Sequence, residues 1–363
     1  MPVRTAPQAR ESFEQLARYE PPDAGLRTAI RLDANEASEG PMPAARSALA
    51  RSLRLVNRYP LGDGDLIDRL AYRHGVAAEM VALGNGIDGI IGYLSDAYLD
   101  PGDEVVTGWP SFPTYVTEAR KRGATVRLAP LRNGAVDTGE IAERIGPRTK
   151  LVWVCTPNNP TGGPLAREAL GELLDATPAN ILVIIDEAYF EYGGGPQHID
   201  AIREFVLGRP NVAAVRTFSK IYGLAALRVG YLVGPAPVAI AAGKARRYYD
   251  VTELGNIAAL ASLDEADELQ QRRLANERAR ERLRTGLEGL GLGVLHSQAN
   301  FMAVGVGDAD AVAARLLAQR VATRSLSGVG APELLRIAVG TPAEIDRLLA
   351  LLPDALAPGG RGA

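Results

Sequence analysis

The sequence predicts an α/β fold: a large domain with a mostly parallel sheet flanked by helices, then a smaller α+β domain. Three observations predict it. Through the middle of the chain, short apolar runs alternate with stretches long enough for helices, as buried parallel strands joined by helical crossovers require. After about residue 250 the texture changes to charge-rich helical sequence. The length of 363 residues, with 47% hydrophobic and 23% charged residues, is ordinary globular composition and enough for two domains.

Taken in order, residues 1–44, with prolines at 21, 22, 41 and 43, read as an extended arm that joins the smaller domain. Residues 45–250 form the large domain. Its strand candidates are 81–83, 104–107, 125–128, 151–155, 182–186, 212–217 and 230–233, and helical segments such as 89–99, 111–122 and 165–176 lie between them. Residues 251–363 form the smaller domain. It opens on a charged helix over 264–290 with Leu269, Leu274, Leu283, Leu287 and Leu290 near one face. Strand-like pieces at 301–306 and 335–339 surround a helical pattern at 309–318.

Composition excludes several classes. A net charge of -3 gives no electrostatic footprint for nucleic acid. No run of 18 apolar residues is present, so no membrane span is expected. The N-terminus lacks an apolar signal core, which points to the cytoplasm. The single cysteine, Cys155, fits a reducing compartment and reads as a buried strand thiol. The three histidines lie far apart, so no metal site is expected.

Open sheets of parallel strands bind ligands beyond the carboxyl ends of their strands. Four polar groups fall at such ends: Gly84-Asn85-Gly86, Pro157-Asn158-Asn159, Asp186 and Lys220. Lys220 closes the run Thr217-Phe218-Ser219-Lys220, and Arg228 follows eight residues later. A lysine beside two hydroxyls and a second cation suits an amine forming an imine with a phosphorylated aldehyde; the bland reading is a solvated surface charge. The glycine turn leads from a strand into a helix, whose start offers free N–H groups to a phosphate, or simply needs glycine to turn. Asn159 stands between prolines in what is either a rigid turn or the donor of an amide to an anionic ring oxygen. Asp186 follows five apolar residues, and a buried carboxylate needs a partner. A protonated pyridine nitrogen would serve, and Tyr189 would reach the same ring; a helix N-cap is the alternative.

In this order and spacing, over about residues 19–340, the motifs resemble the fold-type I aminotransferases that use pyridoxal 5'-phosphate (PLP), in particular the histidinol-phosphate aminotransferase branch. Arg31-Leu32-Asp33-Ala34-Asn35-Glu36 looks like that branch's L-x-x-N-E segment. The resemblance implies Lys220 as the catalytic lysine and Phe112 as the ring stacked on the cofactor. It implies Asn159, Asp186 and Tyr189 around the cofactor ring. Thr217, Ser219 and Arg228, with the backbone at Gly86 and Ile87, form the phosphate cup. It implies that Tyr59, in Asn57-Arg58-Tyr59-Pro60, reaches the cofactor phosphate of a second copy in a homodimer. Arg336 is the arginine of the substrate α-carboxylate, with Arg324, Tyr19 and Asn35 completing the substrate site. The implied partners are a small amino donor and a 2-oxo acid acceptor.

Two segments depart from the branch. It usually continues N-E-N-P-Y-G-P, where this chain has Asn35-Glu36-Ala37-Ser38-Glu39-Gly40-Pro41. The segment Tyr248-Tyr249-Asp250-Val251-Thr252-Glu253 replaces an aromatic followed by x-V-N. Glu39, Asp250 and Glu253 thereby add negative charge near the side-chain pocket, or else point to solvent. Three enzyme readings stay open: transfer from histidinol phosphate to 2-oxoglutarate, transfer from an aromatic or basic amino acid, and a PLP decarboxylase such as one for threonine phosphate. A non-catalytic binding protein is opposed by the intact Lys220, Asp186, Asn159 and Arg228.

Overall fold

The computed structural model describes residues 8–14, 16–18, 24–195 and 198–357. Tyr19, Pro21 and Pro22 of the arm lie outside them. The strands, in chain order, are β1 (Ile30–Arg31), β2 (Val81–Asn85), β3 (Glu104–Trp109), β4 (Thr125–Arg132), β5 (Ala135–Val136), β6 (Thr149–Cys155) and β7 (Leu182–Asp186). After these come β8 (Val212–Thr217), β9 (Val229–Val233), β10 (Phe301–Gly305), β11 (Val321–Ala322), β12 (Arg324–Leu326) and β13 (Ala331–Ala338).

Eight strands make one sheet in the order β2-β9-β8-β7-β6-β3-β4-β5. The pairs β8–β7, β7–β6, β6–β3 and β3–β4 are parallel. β9 is antiparallel to both its neighbours, β8 and β2. Chain length explains the reversal: only residues 218–228 separate β8 from β9, and a parallel crossover takes a dozen residues or more. That short connection carries Lys220, Ser219 and Arg228. At the far edge, Asn133 and Gly134 sit at φ +51° and +77° between β4 and β5. This Asn-Gly pair is the two-residue hairpin turn that favours positive φ.

The strand interior shows why the apolar runs are continuous. Helices cover both faces, and successive side chains point to opposite sides. Val183 and Ile185 of β7 with Val212 and Ala214 of β8 join one core. Leu182, Ile184, Ala213 and Val215 join the other, with Trp153 and Cys155 of β6. Counting on by twos places Asp186 and Thr217 toward the second core. Glu187 and Arg216 then belong to the first.

Glu187 and Arg216 meet there. Arg216 Nε donates to Glu187 Oε2 at 2.9 Å and Arg216 Nη2 to Asp200 Oδ1 at 2.7 Å. The Ala201 N–H donates to Glu187 Oε1 at 2.9 Å, and the guanidinium lies 3.3 Å over the Phe190 ring. A buried pair this well satisfied ties the ends of β7 and β8 together.

The second sheet is antiparallel, β10-β13-β12, while β1 pairs in parallel with β11. Leu32 enters the core of this unit with Met302, Val304, Leu316, Ile337 and Leu348. The helix Ala266–Gly289 buries Leu283 and Leu287, and Leu269 packs against the large core. Leu274 and Leu290 instead stay more than a third exposed, which corrects the expected five-leucine stripe. Leu274 lies five residues past Leu269, about 140° round a helix of 3.6 residues per turn. Arg272 takes the inner position, donating to the carbonyls of Gly40 and Ile221 at 2.9 and 3.1 Å.

Arg216→Met, which strands a buried carboxylate, is expected to lower stability by about 3–5 kcal/mol. Urea denaturation monitored by circular dichroism measures it.

Candidate active site

A cavity of about 810 Å³ opens beyond the carboxyl ends of β6, β7 and β8, facing the strands β12 and β13. The expected residues Asn35, Ile87, Phe112, Asn159, Asp186 and Tyr189 line it, and so do Thr217, Ser219, Lys220, Arg228, Arg324 and Arg336. The arm, both sheets and the carboxyl ends of β2, β3, β6, β7 and β8 thus converge on one space. Tyr19 lies outside the described residues. Tyr59 is not at this cavity: it is 74% exposed and stacks on Tyr249 with centroids 4.5 Å apart.

Lys220 Nζ donates to the Asn35 carbonyl at 3.2 Å and sits 5.4 Å from the Tyr189 ring centroid. Burial, then the Arg336 charge, lower its amine to about 8. At pH 7 about a tenth of the amine is then uncharged and nucleophilic, a far larger share than an ordinary lysine offers. Asp186 is 2% exposed. Its Oδ1 accepts from the Ala188 N–H at 2.9 Å, and its Oδ2 accepts from the Tyr115 hydroxyl. Burial raises its carboxyl to about 6, against these hydrogen bonds and the Lys220 charge. The N-cap alternative gives way, since the short helix that follows, Phe190–Tyr192, has Tyr189 as its N-cap.

Around them, donors and acceptors are sorted by chemistry. Arg336 can only donate, so the Asn159 oxygen that accepts from its Nη1 at 2.8 Å is Oδ1. The Asn159 amide hydrogens remain for a cavity ligand. Tyr189 Oη accepts from Asn35 Nδ2 at 3.1 Å, which leaves its own hydrogen to donate. Asn35 Oδ1 is buried with no partner among the described residues.

At the other end, Arg228 Nη1 donates to Ser219 Oγ at 3.4 Å and its Nη2 to Asp88 Oδ2 at 3.1 Å. Gly86 begins the helix Gly86–Tyr98 at φ +64°, and a Cβ there would lie 2.6 Å from Arg228 Nη2. Only glycine permits that approach. The Gly86 N–H, expected to face a phosphate, donates to the Arg228 carbonyl at 3.1 Å. Free N–H groups of this helix therefore start at Ile87, since a first turn has no intrahelical acceptors. Thr217 Oγ1 likewise donates to the Val229 carbonyl at 3.2 Å and accepts from the Ser219 N–H at 3.0 Å.

Arg336 is 9% exposed, bonded through Nη2 to the Asp33 carbonyl at 2.6 Å, and its Nε has no partner. It forms no ion pair among the described residues. Arg324 is its cross-strand partner in the β12–β13 register, so two like charges face one another beside the cavity, an arrangement that is repulsive without an anion. Burial foremost, with Arg324 adding, lowers the Arg336 guanidinium to about 10.

Glu39, Asp250 and Glu253 do not line this cavity. Asp250 accepts from the Tyr93 hydroxyl, and Glu253 Oε2 accepts from the Leu61 N–H at 3.1 Å. Glu39 borders a separate cavity of about 370 Å³. Carboxylates that sequence reading missed stand there instead: Asp88 on Arg228, and Asp310, which accepts from Ser327 Oγ at 2.8 Å. Tyr115 was missed as well, although it lies three residues after Phe112 on the buried face of the helix Pro113–Lys121. Among the described residues no cluster of His, Cys, Asp and Glu is placed to hold a metal.

A half-buried lysine of lowered basicity, a carboxylate beneath it, and a glycine-gated arginine at a helix N-terminus define a PLP-binding site of the fold-type I kind. Among the described residues the buried Asn35 Oδ1 and Arg336 Nε have no protein partner, which fits a cavity that receives a polar ligand. The chain belongs to the family of class I and II aminotransferases, whose sequence profile matches residues 27–352. It is 38% identical over 337 residues to histidinol-phosphate aminotransferase 2 of Pseudomonas fluorescens, covering 92% of this chain and 91% of the relative. It is also 38% identical to the aromatic amino acid aminotransferase of Thermobifida fusca, covering 96% and 97%. Among solved structures it is similar to the histidinol-phosphate aminotransferase of Sinorhizobium meliloti in complex with PLP. That match has a TM-score of 0.89 at 28% identity, covering 97% of this chain and 98% of the other. The protein is a PLP-dependent aminotransferase, and these findings favour transamination over the decarboxylase alternative.

Reductive trapping of Lys220 by a small aldehyde, in cofactor-free protein, is expected to rise with a midpoint near the lowered value of about 8. An unperturbed lysine would place that midpoint at about 10.4. Peptide mapping of the labelled lysine against pH reads it.

Proposed function

We propose that this aminotransferase takes its amino group from a donor bearing a phosphate, histidinol phosphate, and passes it to a 2-oxo dicarboxylic acid. One observation carries the reading: Arg324 and Arg336 stand directly opposite on β12 and β13, with no carboxylate partner for Arg336. A single carboxylate occupies one guanidinium. A phosphate dianion, or a diacid in the return half-reaction, matches two. The relatives named for histidinol phosphate support this choice.

Bound PLP supplies an electron-accepting ring that stabilises negative charge at the substrate α-carbon. Lys220 would anchor the cofactor, and its Nζ would carry the proton to and from the substrate α-carbon. Asp186 keeps the ring nitrogen protonated. The Asn159 amide and the Tyr189 hydroxyl donate toward the ring oxygen, and Phe112 stacks on the ring face. Ser219, Arg228 and the Ile87 N–H hold the phosphate, with Thr217 and Gly86 shaping that cup through the backbone. Arg336 and Arg324 would hold the substrate anion with Asn35 beside them; Tyr19, outside the described residues, is assigned to the substrate on the sequence resemblance alone.

The same proposal includes a homodimer in which Tyr59 reaches the site of the second copy. Tyr59, Leu61, Tyr248 and Tyr249 are exposed large side chains on the large domain, with Tyr59 stacked on Tyr249 and Leu61 sharing a groove with Tyr248 and Tyr249, and aromatic residues in such a patch favour association. It also includes the division at 44/45 and 250/251 and a cytoplasmic location. No helix among the described residues is long and apolar enough to cross a membrane, and Cys155 is a free, buried thiol.

A second reading, an aromatic amino acid as donor, is favoured by the equally similar relative of that name and by Phe112, Leu326 and Val329 along the cavity. Mixing the cofactor-loaded enzyme with a panel of amines and watching the cofactor absorbance separates the two. Histidinol phosphate is expected to change the spectrum; if aromatic amino acids do so and it does not, the phosphate reading falls. Arg324→Ala is expected to lower kcat/KM for histidinol phosphate by roughly tenfold to a hundredfold, and that for an uncharged aromatic donor far less. Lys220→Ala should keep the fold and lose both the visible absorbance of anchored cofactor and turnover; wild-type turnover would overturn its assignment.

A further inference from the structure

Asp186 is held by a residue that does not itself face the cavity. Each carboxylate oxygen receives one donor: Oδ1 the Ala188 N–H, and Oδ2 the Tyr115 hydroxyl. Ala188 is two residues from Asp186, so its bond is local. Tyr115 comes from another layer, on the helix Pro113–Lys121, 71 positions away in sequence. It is 1% exposed and absent from the cavity wall. Its ring stacks on Trp153 of β6, with centroids 4.7 Å apart and planes 10° from parallel. It also meets the Phe112 ring, 5.7 Å away and nearly perpendicular at 83°, and its hydroxyl lies beside the buried Cys155 thiol. Packed against both rings, the phenol places its hydroxyl at Asp186 Oδ2.

We propose that Tyr115 is a positioning residue that fixes the Asp186 carboxylate from behind, leaving its remaining lone pairs aimed into the cavity, and braces Phe112 with the same ring. The proposal rests on Asp186 acting on the cofactor ring nitrogen. A carboxylate needs two anchored oxygens to keep one orientation, and a charge-assisted bond from a buried hydroxyl is the stronger kind. Burial and the nearby carboxylate raise the phenol well above its ordinary value, so it stays a donor at every working pH. A phenylalanine here would keep the packing and lose the grip.

The pH dependence follows from the groups that face Asp186. Tyr115, the Ala188 N–H and the Lys220 charge favour its ionised form, while burial and Asp88 oppose it. Cys155 and Tyr189, both buried beside it, have thiol and phenol groups raised by burial and stay neutral. With the carboxyl already raised to about 6, loss of the Tyr115 donor raises it further. The carboxylate then protonates, and releases the ring nitrogen, at a higher pH.

The test uses the cofactor-loaded full chain and its Tyr115→Phe variant, with PLP dissociation constants and kcat measured from pH 5 to 9. The expected result is an acid limb moved up by about one unit, and affinity at neutral pH lowered by about tenfold. KM for the amino donor should move less than kcat. Site-specific 3,5-difluorotyrosine at position 115, a stronger donor of nearly equal size, should move the limb the other way, and it serves if the phenylalanine variant fails to fold. Acid limbs unchanged in both proteins overturn the proposal. Asp186→Asn separates the two ideas. If it keeps parental affinity and kcat, the Asp186 reading itself fails. If it loses both while Tyr115→Phe matches the parent, Tyr115 alone is wrong.

Discussion

The buried ion pair of Glu187 with Arg216 is the interaction on which the site's geometry depends. Each partner is the immediate neighbour of a cavity residue: Glu187 follows Asp186, and Arg216 precedes Thr217. Strand side chains alternate, so drawing Glu187 and Arg216 together on one side turns Asp186 and Thr217 to the other. A slip of one residue in either strand would exchange the two sets, burying Asp186 among aliphatic side chains and aiming an arginine at the ligand. The register is further held by Asp200 and the Ala201 N–H. Replacing such a pair by apolar groups is often neutral for stability. Its contribution here is specificity of register, which an apolar pair of similar size would supply less strictly.

The cavity is built for anions at two ends. Arg228 with the start of the helix Gly86–Tyr98 forms one end, and Arg336 with Arg324 the other, with Lys220 between them. Burial foremost, with repulsion from the neighbouring cation adding to it, lowers the basicity of Lys220 and of Arg336. Asp88 offsets it at the first end by pairing with Arg228. No carboxylate does the same for Arg336 among the described residues. Ligand binding therefore relieves strain as well as forming contacts, and an amine of lowered basicity is what nucleophilic anchoring of an aldehyde needs.

Much of this was legible in the sequence because strand ends are punctuated by residue type. Asp186 after five apolar residues, and Lys220 after the run 212–217, could be placed at one edge from alternation and the rule for parallel sheets alone. The Asn133-Gly134 hairpin is readable from its residue types. The reversal of β9 is not: the expected strands 212–217 and 230–233 leave twelve residues between them, enough for a crossover, and only the start of β9 at Val229 removes that room. What stayed hidden depends on contacts between layers. Nothing in the run 113–121 says that one tyrosine on its apolar face reaches a carboxylate on β7. Asp250 and Glu253 looked like pocket charges because sequence proximity to a site is not spatial proximity; a hydroxyl and a backbone N–H elsewhere hold them. The leucine at 274 was misplaced by grouping residues by type along a helix without counting its turns.

The substrate question then reduces to how the second anionic end is used. An arginine at a single position beside a carboxylate-sized space distinguishes little, since every amino acid carries that group. The pair on β12 and β13 is different, because its two members lie on the same face at the close spacing of cross-strand neighbours. Arg336 is buried and held by Asn159 and the Asp33 carbonyl, so its position is fixed. Arg324 is exposed and its guanidinium forms no hydrogen bond among the described residues, so it adapts. On the proposed reading, a fixed cation beside an adaptable one would accommodate a phosphate in one half-reaction and a second carboxylate in the other, with a single set of side chains. An aromatic donor would leave Arg324 idle in its half of the cycle, and only the diacid acceptor would then account for it.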